Sequence, residues 1–96
     1  MKIFAIASPT PAFSPETLKP HMQAEVPATL RHYLDGKIEQ FWFQEGKGPI
    51  FLLNVGSVEE AQAELATLPL VKAGLMAYQL LPVGPLMPLG RLIQAQ

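Results

Sequence analysis

Glu25, His32 and His21 are the side chains of this sequence whose types and spacing could perform acid–base chemistry. On an ideal α-helix, where each residue turns the chain by about 100°, the three lie within about 40° of one another. A carboxylate or an imidazole within hydrogen-bond reach of a substrate can abstract a proton next to a carbonyl group. We therefore predict these three as candidate catalytic residues, with Glu25 or His32 as the base.

Two other interpretations of the same side chains remain open. A line of His, Glu and His could bind a metal ion, but two helical turns separate Glu25 from His32 and Pro27 interrupts the phase. We therefore expect no metal site. Alternatively, the three side chains form a solvated flank of the helix and have no chemical role.

Four aromatic side chains on predicted strands could line an apolar ligand pocket, namely Phe41, Trp42, Phe43 and Tyr78. Ordinary core packing is the alternative, because aromatic residues are common in strands. Tyr78 carries a phenol that needs a hydrogen-bond partner if it is buried, which makes it a better site candidate. We predict all four as substrate-binding residues.

The first strand and the first helix position the acid–base residues. Residues 2–8 form an apolar strand, and Ser14 followed by proline is a favoured helix start. Apolar residues at i+4 spacing then predict a helix over about 15–35 with one core-facing stripe (Leu18, Met22, Val26, Leu30, Leu34). Pro20 and Pro27 each remove a helix hydrogen bond, so we expect this helix to be kinked or locally unwound.

The second half of the chain predicts strand, strand, helix and strand. The strands are expected at about 37–44, 49–55 and 74–82. Ser57 and Glu60 form a capping box that opens the second helix. The complete order, β-α-β-β-α-β, is that of a ferredoxin-like α+β fold with a four-stranded antiparallel sheet.

Both faces of the predicted strands are apolar. Residues 50–53 are apolar throughout, so their alternating side chains supply both faces of the third strand. In the second strand, Ile38 and Trp42 are expected on the face opposite Phe41 and Phe43. A sheet with helices on one face should show polar residues on the other. We therefore expect a second copy of the chain to cover the outer face, giving a homodimer or higher homo-oligomer.

Composition limits the classes of partner. The chain has 96 residues, a net charge of −1, 16 % charged residues and no cysteine. The charge gives no reason to expect nucleic acid or an anionic membrane as partner, and no stretch approaches the roughly 20 apolar residues of a membrane span. The absence of cysteine excludes thiolate nucleophiles and is compatible with a reducing cytoplasm. We predict a cytoplasmic protein that needs no cofactor.

The C-terminal segment carries a separate pattern. Prolines recur every three residues at positions 82, 85 and 88, which is the polyproline II period, and leucines recur beside them. We predict one ferredoxin-like domain, residues 1–82, followed by an extended proline-rich arm, residues 83–96, laid over the partner subunit. A ligand of a proline-binding domain is the alternative.

Residues 36–82 resemble muconolactone isomerase and, more broadly, the dimeric α+β barrel superfamily. Three segments carry the resemblance: Gly36-Lys37 opening a strand that contains Trp42, the run Ser57-Val58-Glu59-Glu60, and Leu68-Pro69-Leu70 before a strand that ends at Pro82. The resemblance implies a subunit whose sheet meets that of its mate to close a barrel, with a pocket between the sheet and the helices of each subunit. Activities of the superfamily include lactone isomerisation, cofactor-free oxygenation and haem chemistry, so this fold does not fix a function.

One position departs from the isomerase pattern. The family has an arginine directly after the second-strand tryptophan, where this chain has Phe43. An anionic lactone needs such a cationic anchor. We therefore expect an isomerase or cofactor-free enzyme that acts by proton abstraction on a small, largely apolar ring compound. The alternative is a non-catalytic small-molecule-binding or structural oligomeric protein.

Overall fold

The computed structural model describes residues 1–84, which form a four-stranded antiparallel sheet with helices on one face. The strands are β1 (Lys2–Pro9), β2 (Ile38–Gln44), β3 (Gly48–Asn54) and β4 (Met76–Val83). The helices are α1 (Pro15–Leu18), α2 (Met22–Leu34), α3 (Val58–Ala66) and α4 (Pro69–Lys72), with a 3₁₀ turn (Lys19–His21) between the first two. The strand order is β2-β3-β1-β4. This arrangement confirms the ferredoxin-like α+β fold predicted from the sequence.

The predicted first helix consists of three consecutive pieces. Ser14 accepts a hydrogen bond from the backbone N–H of Thr17 and so caps α1, as its residue type predicts. Pro20 lies in the 3₁₀ turn, whereas Pro27 lies inside α2 without interrupting it. The expected unwinding therefore occurs only at Pro20. The carbonyl group that Pro27 leaves without an amide partner belongs to Gln23, which is exposed and can be hydrated.

The core lies between the sheet and the helices. Alternate residues of β1 and β3 are almost fully buried, including Ile3, Phe51 and Leu53. α3, α4 and the turn between them cover these side chains with their own buried residues (Ala61, Leu65, Leu68, Leu70). The period of two in the strands and the apolar stripe of α3 therefore account for one side of the sheet.

A bulge near the start of β2 reverses the alternation of that strand. The register between β2 and β3 shifts by one residue between Ile38 and Gln40. Ile38 is buried on the helix side, whereas Trp42 packs on the outer face, with its ring centroid 6.1 Å from that of Phe4. The prediction that Ile38 and Trp42 share a face is therefore wrong, because a strict period of two does not hold across a bulge.

The outer face of the sheet is apolar and lies open in the single chain. Most of its central residues are apolar, and these are partly or largely exposed (Phe4, Ile6, Trp42, Ile50, Leu52, Leu81). Gln40 and Gln79 are polar residues on the same face. Monomeric soluble proteins rarely leave a contiguous apolar face of this kind in water. The strands thus carry apolar side chains on both faces of the sheet, as the sequence predicts.

The last strand, β4, ends at Val83, one residue beyond the predicted end of the domain at residue 82. Apart from Val83 and Gly84, the predicted proline-rich arm lies outside the described residues. Within residues 1–84, none of the helices has both the length and the apolar character needed to span a membrane.

Candidate functional site

A cavity of about 710 Å³ lies between α2 and the helix-facing side of β2 and β3. Most of its wall is apolar (Phe13, Leu18, Met22, Val26, Leu30, Phe41, Phe43, Phe51, Leu70, Met76). Three residues with polar side-chain groups interrupt this wall, namely Glu25, Thr29 and Lys47. The volume and the lining are those of a small-molecule site, which is typically about 300–1,000 Å³ and mostly apolar with a few polar groups.

Glu25 is the one buried charged residue in the part of the chain that the structure describes, and it lines this cavity. It lies in the first turn of α2, and its Oε1 accepts a hydrogen bond of 2.9 Å from the backbone N–H of Leu70. This bond fixes the orientation of the carboxyl group. A carboxylate has two oxygens with about four acceptor sites, so a ligand can still reach it.

The environment of Glu25 changes its acidity. Burial raises the pKa of this carboxyl group above the ordinary glutamate value of 4.5, because the charged form is poorly solvated there. The N–H of Leu70, the hydroxyl of Thr29 and the charge of His21 act in the opposite direction but do not cancel the shift. A carboxyl group with a raised pKa is a stronger base once it is ionised, which suits proton transfer near neutral pH.

Thr29 supports Glu25 from the next turn of α2. Its hydroxyl donates a 2.9 Å hydrogen bond to the backbone carbonyl of Glu25, and Thr29 itself lines the cavity. The helical spacing of four residues makes this bond possible. The two residues therefore present a small polar patch on an otherwise apolar wall.

The two histidines do not join Glu25 in the cavity wall. His32 bridges α2 and α3: its Nδ1 is 2.8 Å from Oε2 of Glu64, and its Nε2 is 2.7 Å from Oγ1 of Thr67. His21 lies in the 3₁₀ turn and acts on Glu25 only through its charge. Of the three predicted catalytic residues, Glu25 alone lines the cavity. Among residues 1–84, no group of three His, Asp or Glu side chains is arranged to hold a metal ion.

The four predicted substrate-binding aromatics divide into two groups. Phe41, Trp42 and Phe43 all border the cavity, and they are exposed by 46 % to 74 %. Phe41 and Phe43 lie on the helix side of β2, whereas the Trp42 ring packs against Phe4 on the outer face. Tyr78 does not line the cavity. Its ring stacks on that of Phe51, with the centroids 5.6 Å apart. Burial and, to a smaller extent, the negative charge of Glu25 raise the pKa of its phenol.

Lys47 is a cavity residue that the sequence did not single out. The exposed cations Arg31 and Lys72 do not line this cavity. Lys47 lies in the hairpin between β2 and β3, and the hairpin borders the cavity because β2 runs beside α2. The two flanking glycines indicate a tight turn but give no sign of which side of the sheet it borders.

No protein-family model and no curated protein sequence matches this chain. Among solved structures, the fold is similar to that of 5-chloro-2-hydroxyhydroquinone dehydrochlorinase from Burkholderia phenoliruptrix AC1100, in complex with 2,5-dihydroxybenzoquinone. The TM-score is 0.71 over 88 % of this chain and 94 % of that chain, at 18 % sequence identity. At this identity the similarity concerns the fold alone. It agrees with the α+β fold described above.

Proposed function

We propose that this protein is a small enzyme that abstracts a proton from a small, largely apolar ring compound, with Glu25 as the base. The observation that carries the proposal is a buried carboxyl group, with a raised pKa, in the wall of an apolar cavity. Perturbed carboxyl groups in clefts are frequent at catalytic sites because acid–base chemistry near pH 7 requires them.

The cavity suggests how the reaction would proceed. The ring would lie against Phe41 and Phe51, and ionised Glu25 would take a proton from a ring carbon next to a carbonyl group. If that carbon also adjoins a ring double bond, the electrons of the broken C–H bond spread over the carbonyl and the double bond to form a dienolate, and protonated Glu25 returns the proton to the far carbon of the double bond. The net result is a shifted double bond, which is an isomerisation and conserves every atom of the substrate.

Two similarities support a ring compound as the substrate. The dehydrochlorinase that shares the fold is named for a chlorinated hydroxyhydroquinone, and its complex holds a six-membered quinone. The sequence resemblance to muconolactone isomerase, a lactone enzyme, suggests the same general class. We therefore place unsaturated lactones and cyclic enones first among the compounds to test.

Glu25→Gln tests the proposal directly. The variant keeps the shape of the side chain and an oxygen that can accept the Leu70 N–H, but it cannot take up a proton. Exchange of ring hydrogens for deuterium in an unsaturated lactone and in a cyclic enone, followed by NMR, should be about 10²–10⁴ times slower than in the wild type. Glu59→Gln, a change at an exposed glutamate of α3, should have no effect.

The same experiment separates catalysis from simple binding. Exchange by Glu25→Gln at the wild-type rate would refute Glu25 as the base. Wild-type protein that binds ring compounds but exchanges none of their hydrogens would favour the alternative, a non-catalytic small-molecule-binding protein. Circular dichroism of both variants should match that of the wild type, because neither substitution removes packing volume.

We also propose that a second copy of the chain covers the outer face of the sheet. This face carries apolar side chains on all four strands, with Gln40 and Gln79 among them, and sheet-to-sheet contact between identical faces is self-complementary in a two-fold dimer. The resemblance to the dimeric α+β barrel superfamily leads to the same expectation. The cavity lies on the opposite side of the sheet, so pairing of the outer faces leaves it accessible.

A further inference from the structure

The hairpin between β2 and β3 holds Lys47 at a fixed place on the cavity border. The backbone N–H of Lys47 donates to the carbonyl of Gln44 at 3.0 Å, which closes the turn. Gly46 and Gly48 flank the lysine with φ values of 79° and 127°, a region that side chains other than glycine rarely adopt. Gly48 also packs so closely that a β-carbon there would lie 3.2 Å from Cβ of Ala7. The backbone that carries Lys47 is therefore anchored to the sheet.

The ammonium group of Lys47 has no ionic partner within the described part of the chain. The ion pairs formed by residues 1–84 use Lys2, Lys37 and His32. Lys47 is exposed, and it supplies the positive charge among the residues that line the cavity. Because the side chain is exposed, water screens its charge, and an ion pair with a ligand raises the affinity by no more than about fivefold.

Lys47 and Glu25 lie on different elements of the cavity border. Lys47 belongs to the hairpin between β2 and β3, whereas Glu25 lies in the first turn of α2 with its Oε1 bound to the N–H of Leu70. Within residues 1–84, the two side chains form no ion pair with each other. The cavity therefore has a carboxyl group on its helical side, a cation on its hairpin side, and a mostly apolar lining.

We infer that Lys47 determines the charge specificity of the site: the ligand is a planar ring compound with one anionic oxygen substituent, a carboxylate or a phenolate, which pairs with Lys47. The inference rests on the proposed function, because it assumes that the cavity binds ring compounds. It adds that the anionic substituent points to the hairpin while the ring reaches Glu25. This arrangement also keeps the negative charge of the ligand away from the carboxylate.

A matched pair of probes tests this inference by isothermal titration calorimetry. The probes are 2-naphthoate and 2-naphthamide, which have the same ring system and similar size but differ in charge, and a cavity of about 710 Å³ has room for both. We expect wild-type protein to bind the carboxylate about fivefold more tightly than the amide, as for an exposed ion pair. The preference should shrink as salt is added.

Three variants make the experiment specific. Lys47→Met should bind both probes equally while keeping the wild-type affinity for the amide, and Lys47→Arg should keep the preference. Lys72→Met, a change at an exposed lysine of α4 outside the cavity wall, should behave as wild type.

Different outcomes separate this inference from the proposed function. If wild-type protein binds both probes equally, or if Lys47→Met keeps the preference, the inference is wrong and the proposed function stands. If wild-type protein binds neither probe, the ring-binding cavity itself is refuted, and the proposed function fails with the inference.

Discussion

The carboxyl group of Glu25 and the backbone N–H of Leu70 are joined by a hydrogen bond of 2.9 Å between residues that lie 45 positions apart in the sequence. The bond connects α2 to α4, so two of the helices that border the cavity hold its one buried carboxyl group between them. A group held from outside its own helix keeps its orientation when a ligand enters. Catalysis benefits from such preorganisation because no reorientation is needed during the reaction.

The raised pKa of Glu25 predicts a specific pH dependence of stability. Below pH 4.5, the ordinary glutamate value, both the folded and the unfolded chain hold the proton. As the pH rises, the unfolded chain loses its proton first, so the contribution of Glu25 to the free energy of unfolding falls. The fall ends once the pH exceeds the raised pKa of the folded chain. Urea unfolding of the wild type and of Glu25→Gln across this range measures the effect.

The difference between the two proteins isolates Glu25 from other carboxyl groups. The contribution of Glu60 to stability changes with pH in the opposite direction, because the N–H of Gly56 and the ammonium of Lys37 lower its pKa. Glu60 is present in both proteins, so its contribution cancels in the difference. Wild-type stability minus variant stability should therefore decline with rising pH. A difference that increases with pH would contradict a raised pKa at Glu25.

His32 is expected to stabilise the fold rather than to take part in turnover. His32→Ala removes the contacts of the ring with Glu64 and Thr67 and should lower the free energy of unfolding by about 1–3 kcal/mol. Turnover by the folded variant should stay at the wild-type level, because His32 does not line the large cavity. Thermal unfolding and single-substrate kinetics provide the two measurements.

The catalytic role first predicted for His32 would give the reverse result. Turnover would be lost while stability stayed unchanged. His21→Ala is the control. Within residues 1–84, the His21 side chain forms no hydrogen bond with another residue, so the stability of this variant should be close to that of the wild type.

Gly48 is predicted to tolerate substitution less well than Gly46 in the same hairpin. An alanine at Gly48 would combine a φ of 127° with β-carbon contacts of 3.2 Å to Ala7 and Met76, so we expect a loss of about 2–3 kcal/mol. An alanine at Gly46 has a φ of 79° but meets no atom within 4 Å, and it should cost about 1 kcal/mol. Chemical unfolding of the two variants tests the order. Equal losses would show that the close packing at Gly48 carries no energetic weight.

Leu52 offers a test of the proposed dimer. It lies on β3, an inner strand, and points to the outer face of the sheet. A lysine there should prevent sheet-to-sheet contact, because its charge would have to be buried, and light scattering should detect a monomer with an unchanged circular dichroism spectrum. Ala63→Lys, on the exposed side of α3, should remain a dimer. A wild-type monomer would refute the dimer outright.

The proline-rich arm can be tested by truncation after Gly84, which leaves β4 complete. If residues 85–96 lie over a partner subunit, the truncated protein should dissociate at a higher concentration than the full chain. Analytical ultracentrifugation across a dilution series provides the comparison. An unchanged dissociation constant would remove the arm from the interface.

The fold was predictable from the sequence because each element carried its own local signal. Ser14 and Ser57 marked helix starts, and alternating apolar residues marked the strands. The cavity was harder to predict from the sequence, because its lining comes from elements far apart in the chain. Glu25 was identified through its helical phase, whereas Lys47 reaches the cavity through the placement of a hairpin that no local pattern encodes. His32 shared the phase of Glu25 but found partners on α3 instead.

The bulge at the start of β2 determines how the cavity would respond to the gain or loss of one residue in that strand. One extra residue between Ile38 and Gln40 sets which of the following aromatics face the cavity. Deletion of Glu39 would remove this extra residue, and strict alternation would then leave Phe41 on the helix side and Trp42 on the outer face, where they lie now. The ligand site and the proposed dimer surface would thus keep their aromatic residues after a single-codon deletion at the bulge. Loss of Phe41 with the bulge retained would instead bring Trp42 to the helix side and alter both surfaces together.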